Sequence, residues 1–585
     1  MTILLKICLK AKEKQTMVIN NLYKNGEEIS IASYLNKFGI EDIDEFINPT
    51  GKYIESPNLY NNMREAVQCF RWYYLDQDST VYILSDSGDT DGITSSCMLY
   101  LYMQKLRPNW DIKILIHEGK ERGLQDETLL NQIIENPRDL LFIPDSGTND
   151  KEQIDLIYEK TDTQVIILDH HEFTTPTTKG ILINNQDPAS TCQRNGSGCL
   201  VTHKFLQALD ADLEVNYSGK FIDLVALSLV SDSMDMSEME NRTYYHFGLE
   251  DKSRINNGFL YDCISEFIKN DTYSQKDLAF NVIPKFNSIS RSQDMELKQK
   301  LYLAFLGEFL DGYDEILKLC AEAHIKQRTK VEEIINNNLD EINEASKNNL
   351  VIFASDDIPK SYSGLVCGKI MTLSGNKPTL VGSIKDGDFI GSLRSPIPLR
   401  EELNNNELVE WCVGHEEASG IKLKAENIQS LIDYYNFLQL DYSPHITVLN
   451  SYPIKLLPKN LYGLFEPYKA LFGKGVDEPK FFIDKISFSP KDVEILGKDK
   501  RTLKIVSDDI SIIIFNCTKK NKTDLMLGYY DDKDKFVESR KNVKLEMSCV
   551  CNLTINYWNN KAYKQIVVED FEVKEKPVLS MEDLL

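Results

Sequence analysis

The sequence lacks several features that would assign it to a common protein class. It has no run of 18 apolar residues, so we expect no membrane span. Its 12 cysteines include no Cys-x-x-Cys pair, which argues against common zinc or thioredoxin-like sites and favours buried, reduced thiols. No Gly-x4-Gly-Lys-Ser/Thr loop is present, because no lysine follows Gly196-Ser197-Gly198, so an ATPase motor is not indicated.

Positive charge is also scarce. The chain has 66 Lys and Arg against 90 Asp and Glu, which gives a net charge of −24. The acidic excess lies before Ser451, because the residues from Ser451 to Leu585 carry 23 Lys and Arg against 21 Asp and Glu. Such a chain repels nucleic acid on average, so a nucleic-acid binder of this composition must focus its positive charge in a groove.

Five short runs rich in Val, Ile and Leu alternate with helical patterns in the first third of the chain. These runs are VYILS (81–85), DIKILIH (111–117), LLFIP (140–144), TQVIILD (163–169) and GILINN (180–185). Alternating strands and helices predict an α/β fold with a parallel sheet covered on both faces. Such a sheet binds ligands at the carboxyl ends of its strands.

The length of 585 residues suggests about three or four domains. The patterns predict an N-terminal cap segment (1–75) that is helical from about residue 17 to about residue 70, and a catalytic domain (76–295). They further predict one or two long bridging helices (296–346), a second α/β domain (347–445), and a small β-barrel with a tail (446–585). The N-terminal apolar stretch is interrupted by Lys6 and is a poor signal peptide, so we expect a cytoplasmic protein.

Four acidic motifs each follow or end an apolar run. They are Ser87-Gly88-Asp89-Thr90-Asp91-Gly92, Asp145-Ser146-Gly147, Asp169-His170-His171 and Asp232, the last in a run that fits either a helix or a strand. Taken singly, such motifs also occur as turns, calcium loops or helix caps. The adjacent histidines are harder to explain as core, because the chain has only eight His.

The four motifs together predict a metal centre. Five aspartates with one or two histidines make mainly an oxygen site, and imidazole favours a transition metal, so Mn²⁺ or Mg²⁺ fits better than zinc. Two such ions about 3.5–4 Å apart can activate water and clamp a phosphate for in-line attack. We therefore expect a two-metal phosphoesterase.

The order of these motifs resembles the DHH phosphoesterase superfamily, and within it the RecJ-like single-stranded-DNA-specific exonucleases. Further resemblance lies in Glu240-Asn241-Arg242, in 284–291, in Gly391-Ser392-Leu393-Arg394-Ser395, in Val413-Gly414-His415 and in 471–479. The third and fourth of these resemble a DHHA1-type substrate-binding domain, and the last resembles the entry to an OB-fold. The likeness runs from about residue 20 to about residue 560.

The resemblance implies a metal-binding role for five residues. Asp145 would bridge the two ions, and Asp89 would complete the first site. Asp91, His170 and Asp232 would complete the second site.

Other residues receive roles around the metals. The resemblance implies that His171 contacts the scissile phosphate and that Asp169 orients the histidine pair. The usual acid two residues before Asp89 is Ser87 here, so we expect the first metal site to be weaker or to use another ligand.

The resemblance also implies substrate contacts. Arg394 and His415, together with Ser392, would hold a substrate phosphate. Arg291 is a weaker candidate for the same task, with a structural hydrogen bond between lobes as the alternative. Aromatic residues of the barrel would stack on bases, with ordinary core or surface strand residues as the alternative, and these are Phe481, Phe482, Phe488, Tyr529 and Tyr530.

The implied activity is 5′→3′ degradation of single-stranded DNA to mononucleotides in DNA repair and recombination. It would need two divalent ions, Mn²⁺ or Mg²⁺, and single-stranded DNA as the partner, without a membrane. A single-strand-binding protein or a helicase is a candidate protein partner, and we expect a monomer.

Two alternatives stay open at the level of the sequence. A DHH hydrolase of short oligonucleotides or nucleotide second messengers would use the same ligands, although it would not need the strand-rich C-terminal domain. A non-catalytic, RecJ-like DNA-binding scaffold would instead be expected to lose metal ligands.

Overall fold

The computed structural model describes residues 18–575 with short gaps. The gaps are 25, 77, 119–122, 174–175, 271–272, 310, 439–444, 498–499, 508–509, 532–534, 538–542 and 559–560. The larger of two compact units contains residues 44–442 and 470–476, and the other contains the preceding segment with 443–469 and the residues from Asp477. The domain bounds expected from the sequence stay a prediction.

The N-terminal segment contains a strand where a helical pattern was expected. Strand β1 (Val18–Asn21) pairs in parallel with the strand His445–Val448. Helices α1 (Ile31–Asn36) and α2 (Ile43–Ile47) follow it. The helical expectation was wrong at β1 because the partner that supplies its hydrogen bonds lies far along the chain and leaves no local signal.

Helix α3 (Met63–Tyr74) is amphipathic and belongs to the larger unit. It buries Met63, Ala66, Val67 and Phe70, which recur at helical spacing. These side chains join the main hydrophobic core, and Trp72 on the opposite face is exposed.

The five predicted strand runs form one five-stranded sheet, which confirms the α/β fold. The strands are β2 (Thr80–Ser85), β3 (Asp111–Ile116), β4 (Leu140–Pro144), β5 (Gln164–Asp169) and β6 (Ile181–Asn184). Their spatial order is β3-β2-β4-β5-β6, and all neighbours are parallel. The carboxyl ends of the strands therefore meet at one edge.

Both faces of this sheet are covered by apolar side chains. Alternate residues such as Phe142 and Ile143 point into two separate cores. Helix α4 (Thr90–Leu106) contributes to the first core, and α5 (Glu127–Glu135) and α6 (Lys151–Lys160) contribute to the second. This double burial explains why the strands are continuous apolar runs rather than alternating ones.

A layer of helices completes the first core. Its helices are α7 (Gly198–Leu213), α8 (Ile222–Ser231), α9 (Met239–Gly248), α10 (Gly258–Phe267), α11 (Gln275–Asn281) and α12 (Ile283–Ser290). The run before Asp232, which fitted either a helix or a strand, is the helix α8.

The Glu240-Asn241-Arg242 segment is buried in this layer and makes structural contacts. Glu240 forms a fully buried ion pair with Lys204. The Arg242 guanidinium donates to the carbonyl oxygens of Phe46 at 2.9 Å and Ile47 at 3.2 Å, and to the Glu250 carboxylate at 2.9 Å. Arg242 thereby ties the segment before α3 to α9.

The segment expected to form one or two long helices contains three. They are α13 (Met295–Leu306), α14 (Asp314–Asn337) and α15 (Leu339–Ala345). Helix α13 ends at Gly307, whose φ of 79° is the left-handed conformation that commonly terminates a helix. The single-helix alternative was wrong, because one glycine in an otherwise helical pattern served as a C-terminal cap.

A second α/β region follows, as predicted. Its elements are β7 (Val351–Ala354), α16 (Ser363–Leu373), β8 (Thr379–Lys385), β9 (Asp388–Arg394), α17 (Arg400–Asn404), β10 (Trp411–His415), β11 (Ala418–Lys424) and α18 (Ile428–Leu438). The strand order is β10-β11-β9-β8-β7, with only β7 and β8 parallel.

The C-terminal region is rich in strands, as predicted. Its elements are β12 (His445–Val448), β13 (Ser451–Pro453), β14 (Phe481–Phe488), β15 (Val493–Leu496), β16 (Thr502–Ser507), β17 (Ile510–Ile514), α19 (Lys519–Met526), β18 (Tyr529–Tyr530), β19 (Phe536–Val537), β20 (Leu545–Trp558) and β21 (Lys561–Glu575). A seven-stranded sheet has the order β13-β14-β20-β21-β17-β16-β15. Helix α19 ends at Met526, and the strand β18 begins three residues later at Tyr529.

Short 3-10 helices lie between the longer elements of the described residues. The 3-10 helices are Pro57–Leu59, Gly123–Gln125, Ser218–Phe221, Lys252–Arg254, Lys360–Tyr362, Ala425–Asn427, Ile454–Leu456, Lys459–Leu461, Glu466–Leu471 and Pro490–Asp492. Within the described part of the chain, no helix combines the length and the apolar character that crossing a membrane requires.

The buried Arg242 allows a test of the fold. We expect Arg242→Ala to lower the free energy of unfolding by about 3–5 kcal/mol, because it leaves two carbonyl oxygens without this buried donor and leaves Glu250 with His246 as its remaining partner. Arg71→Ala removes an exposed ion pair with Asp212 and should cost less than about 1 kcal/mol. Urea unfolding followed by circular dichroism measures the free energy of unfolding of both variants. Equal losses of stability in the two variants would contradict a structural role for Arg242.

Candidate metal centre

The first acidic motif lies in the loop from β2 into α4. Asp89 is the residue before the helix, and Asp91 is buried in its first turn. A Cβ added at Gly92 would lie 1.8 Å from the carbonyl oxygen of Asp86, so this position must be glycine for the loop to fold back so tightly. The tight turn points Asp91 toward the carboxyl edge of the sheet.

Asp145 directly follows β4 and has a strained backbone. Its φ of 64° lies in the left-handed region, which is uncommon for a residue with a side chain. Its amide nevertheless donates to the Leu168 carbonyl oxygen of β5 at 2.8 Å, which holds the turn in place. Such strain persists where the surrounding structure fixes it, and it occurs most often at functional sites.

Asp169, the last residue of β5, holds the two histidines that follow it. Its Oδ1 accepts hydrogen bonds from the His170 amide at 2.7 Å and lies 2.8 Å from His171 Nδ1. Its Oδ2 accepts from the Thr148 hydroxyl at 2.6 Å. Burial alone would raise the pKa of Asp169, but these contacts, above all with His171, lower it below its usual value.

His171 is positioned by this carboxylate. Burial alone would lower the pKa of His171, but Asp169 raises it to about 9. The hydrogen bond between Nδ1 and Asp169 leaves Nε2 as the ring atom that faces outward from this pair. Asn184, at the end of β6, donates to both the Thr148 hydroxyl and the His171 carbonyl oxygen at 2.9 Å.

His170 Nε2 is the point where three of the acidic motifs meet. It lies 3.2 Å from Asp145 Oδ1, 3.5 Å from Asp232 Oδ2 and 3.9 Å from Asp91 Oδ2. Asp232 reaches this point because it caps the carboxyl end of α8. Two groups of three side chains could each hold a metal ion, because the ligand atoms within each group lie within 4.8 Å of one another. One group is Asp91, His170 and Asp232, and the other is Asp145, His170 and His171.

The electrostatics of this cluster fit a divalent cation. Burial and then the neighbouring carboxylates raise the pKa of Asp91 to about 6 and that of Asp145 well above its usual value. Burial alone would lower the pKa of His170, but Asp232 and Asp91 raise it. The carboxylates of this cluster therefore lie close enough to repel one another, and a bound cation would relieve this repulsion.

The hydrogen bonding of the cluster points the same way. Asp145 Oδ1 and Asp232 Oδ2 are buried, and neither accepts a hydrogen bond of normal geometry from the residues that the structure describes. Buried carboxylate oxygens are almost always bonded to something. Oxygen atoms with one or two imidazoles are the donors that Mn²⁺ accepts, so the residues present fit such an ion.

Asp89 and the loop before it lie outside these two groups of ligand atoms. Asp89 belongs to neither ligand set, although its charge raises the pKa of both Asp91 and Asp145. Ser87 is buried, and its hydroxyl accepts a hydrogen bond from the His117 amide at 3.1 Å. Ser87 therefore joins the ends of β2 and β3.

Arg291 lies beside this loop, at the end of α12. Its Nε donates to the Gly88 carbonyl oxygen at 3.2 Å, and Ser290 donates its hydroxyl to the same oxygen at 3.2 Å. Asn287 accepts from the Thr90 hydroxyl at 2.9 Å. These contacts fix the backbone on both sides of Asp89.

The expected substrate residues of the second α/β region share one face of its sheet. Arg394 of β9 and His415 of β10 are both paired with Ala418 of the strand between them, so their side chains point to the same side. Ser392 is two residues before Arg394, and its hydroxyl is 2.8 Å from that of Ser363. In the described hydrogen bonds and ion pairs, these residues make no contact with the carboxylate cluster.

The barrel aromatics divide between core and surface. Phe481 and Phe488 are buried, so the core alternative holds for them. Tyr529 is 61% exposed and is a surface residue.

Three residues of the site were not singled out from the sequence. Thr148 and Asn184 orient the Asp169–His171 pair, and Gly198 donates its amide to Asp91 Oδ2 at 2.8 Å. A polar residue at the carboxyl end of a predicted strand was a usable signal for Asn184. Nothing in the local pattern indicated Gly198, because its partner lies more than 100 residues away.

Family models match two parts of the chain. Residues 80–229 match the N-terminal domain of the DHH family, and residues 464–570 match the RecJ OB domain. The first match spans the five-stranded parallel sheet and α7 and α8, and the second spans most of the seven-stranded sheet.

Whole-chain relatives are distant but extend over nearly the full length. A protein of Bacillus subtilis (strain 168), named as an SPbeta prophage-derived single-strand DNA-specific exonuclease, is 25% identical over 93% of this chain and 96% of the relative. The single-stranded-DNA-specific exonuclease RecJ of the same bacterium is 23% identical over 93% of this chain and 68% of the relative.

Solved structures support the same fold. RecJ from Thermus thermophilus, crystallised with Mn²⁺, superposes with a TM-score of 0.70 at 18% identity, over 96% of this chain and 80% of that chain. The chain therefore carries a domain of the DHH family at residues 80–229 and a RecJ OB domain at residues 464–570, and its overall fold is that of RecJ.

Proposed function

We propose that this protein is a two-metal exonuclease that degrades single-stranded DNA in the 5′→3′ direction and releases mononucleotides. The observation that carries the proposal is the convergence of three carboxylates on His170 Nε2 within 3.9 Å. The names of its whole-chain relatives supply the substrate class. We propose DNA repair and recombination as the processes in which this exonuclease acts.

The chain's own residues divide the work of metal binding. Asp145, with Oδ1 near His170, would serve both ions. Asp91, His170 and Asp232 would complete one site, and Asp89 would complete the other. Divalent ions bound there, Mn²⁺ or Mg²⁺, would supply a nucleophile at neutral pH and stabilise charge on the phosphate during in-line attack.

His171 and Asp169 would act on the substrate side of the centre. The Asp169 carboxylate fixes the His171 ring through Nδ1, so Nε2 can donate to an oxygen of the scissile phosphate. The raised pKa of His171 favours the protonated ring that such a contact requires. His171 is thus the residue of the pair that faces the reaction, and Asp169 is a positioning residue.

Substrate binding would use both remaining regions. Ser392, Arg394 and His415 share one sheet face and would hold a phosphate of the strand. Arg291 donates a hydrogen bond to the carbonyl oxygen of Gly88, in the loop that carries Asp89 and Asp91. This contact supports a positioning role for Arg291, in addition to the proposed contact with a phosphate. The OB domain would bind the single strand through backbone and stacking contacts, with Tyr529 as an exposed candidate.

Two rival functions are less well supported. A hydrolase of short oligonucleotides has no need of an OB domain, which this chain carries. A non-catalytic scaffold has no reason to keep three carboxylates within 3.9 Å of one imidazole nitrogen, as Asp91, Asp145 and Asp232 are around His170. We propose further that the protein acts as a cytoplasmic monomer, with a single-strand-binding protein or a helicase as partner.

Removing the charge of Asp145 tests the metal assignment. We expect Asp145→Asn to lower Mn²⁺-dependent nuclease activity by at least about 100-fold, because a metal ligand is lost. The same change should raise the thermal midpoint in EDTA, because it removes a buried charge that its neighbours repel. Digestion of a labelled strand and differential scanning fluorimetry give the two readings.

Asp155→Asn is the matched control for this variant. It removes a half-buried carboxylate that pairs with Lys151 at 2.7 Å and with Lys179 at 3.5 Å, and activity should stay within about twofold of the wild type. Full activity in Asp145→Asn would show that this carboxylate is no metal ligand.

Substrate and polarity can be tested together. With Mn²⁺ present, a long single strand labelled at its 5′ end should release labelled mononucleotide at once, and a 3′-labelled strand should release its label last. A blunt duplex should resist digestion. Gel analysis distinguishes these patterns, and activity on a dinucleotide alone would favour the short-oligonucleotide rival.

The shared face of the second α/β region can be tested by kinetics. We expect Arg394→Gln to raise the KM for single-stranded DNA by about tenfold with little change in kcat, because a charged hydrogen bond to a phosphate is lost. Arg400→Gln breaks the surface pair with Glu416 and serves as the control. An unchanged KM in Arg394→Gln would remove this residue from the binding surface.

A further inference from the structure

The turn Ser197-Gly198-Cys199, at the start of α7, binds a metal ligand through its backbone. The Gly198 amide donates to Asp91 Oδ2 at 2.8 Å, and the Cys199 amide donates to Asp91 Oδ1 at 2.9 Å. Amides in the first turn of a helix have no partner within the helix, and the helix end carries partial positive charge. A carboxylate from another helix fills this position and is held by both of its oxygens.

The same turn also packs against Asp145. A Cβ added at Gly198 would lie 2.5 Å from Asp145 Oδ1 and 2.7 Å from Asp145 Cβ. Both distances are far shorter than real contacts of a Cβ atom. Asp145 cannot move aside easily, because its backbone is held in the left-handed conformation with φ 64°. Gly198 therefore sets how closely Asp145 approaches the helix end.

Ser197 connects the turn to the third carboxylate. Its hydroxyl accepts a hydrogen bond from the Leu200 amide at 3.2 Å, which caps α7, and it also bonds to the hydroxyl of Ser228. The Ser228 carbonyl oxygen in turn accepts from the Asp232 amide at 2.9 Å. The turn thus contacts Asp91 and Asp145 directly and reaches Asp232 through α8.

We propose that Ser197, Gly198 and Cys199 form a positioning turn that sets the metal affinity of the centre by fixing Asp91, Asp145 and Asp232 around His170. The proposal rests on the metal-dependent function proposed above. Asp91 Oδ2 gives one lone pair to the Gly198 amide and keeps another for a cation, whereas Oδ1 also accepts from the Ser95 hydroxyl at 3.3 Å. The amides offset part of the negative charge without a positive side chain that would compete with a metal.

This role also accounts for the glycine-rich sequence of the turn. Glycine-rich turns at helix N-termini bind the phosphates of nucleotides through backbone amides, and they do so together with a lysine in the nucleotide-binding loops. Here no lysine follows, and the anion held by the amides is a carboxylate of the same chain. The resemblance to a phosphate-binding loop is therefore one of geometry and not of ligand.

Metal binding by the full-length, EDTA-treated protein tests the proposal without any nuclease assay. Titration calorimetry with Mn²⁺ should show an affinity about 10–100-fold lower for Gly198→Ala than for the wild type. Gly219→Ala is the control, since its Cβ would meet only Asn216 Oδ1, at 3.8 Å, and its affinity should be unchanged. A Gly198→Ala protein that binds Mn²⁺ like the wild type, whatever its thermal midpoint in EDTA, overturns the proposal.

A second variant decides the matter if Gly198→Ala fails to fold. Ser197→Gly introduces glycine, which is tolerated as the residue before a helix, and removes the hydrogen bond to the Ser228 hydroxyl. We expect its Mn²⁺ affinity to fall severalfold while its thermal midpoint in EDTA stays close to that of the wild type, and wild-type affinity would overturn the proposal. Absence of Mn²⁺ binding by the wild type would instead refute the proposed function, and the role of the turn with it.

Discussion

Mutual repulsion among buried carboxylates is the constraint on which this centre depends. Asp91, Asp145 and Asp232 approach one imidazole within 3.9 Å, and the pKa values of Asp91 and Asp145 rise because burial and their neighbours disfavour the charged form. A fold that holds such a group in place must use rigid elements. Each carboxylate here is accordingly fixed at the end of a strand, in the first turn of a helix or at the end of a helix.

The surrounding hydrogen bonds divide this work between separate parts of the chain. Backbone amides of α7 hold Asp91, and Thr148 with Asn184 holds the Asp169–His171 pair. The end of α12 holds the backbone beside Asp89. Apart from the Arg291 guanidinium, these supports are neutral hydroxyl, carboxamide and backbone amide groups. They therefore orient the ligands and leave most of the negative charge that attracts a cation.

The sequence predicted the parts of this arrangement that depend on local pattern. Apolar runs predicted all five strands of the parallel sheet, and the acidic residues at their ends predicted the cluster at His170. Contacts between distant segments were beyond such patterns. The pairing of β1 with β12, the left-handed turn at Asp145 and the approach of Gly198 to Asp91 all depend on residues far apart in the chain. The helix end at Gly307 has a local cause, but one glycine in a helical pattern does not by itself show that the helix stops there.

The exchange of an expected acid for Ser87 changes the balance between the two sides of the centre. The Ser87 hydroxyl bonds to the His117 amide, and the buried Lys298 donates to the His117 carbonyl oxygen at 2.9 Å. Burial lowers the pKa of Lys298 to about 8, although the charges of Glu118 and Asp86 raise it. The side near Asp89 therefore has one acid fewer and a lysine nearby. Three carboxylates lie around His170 on the other side, where the positioning turn also acts.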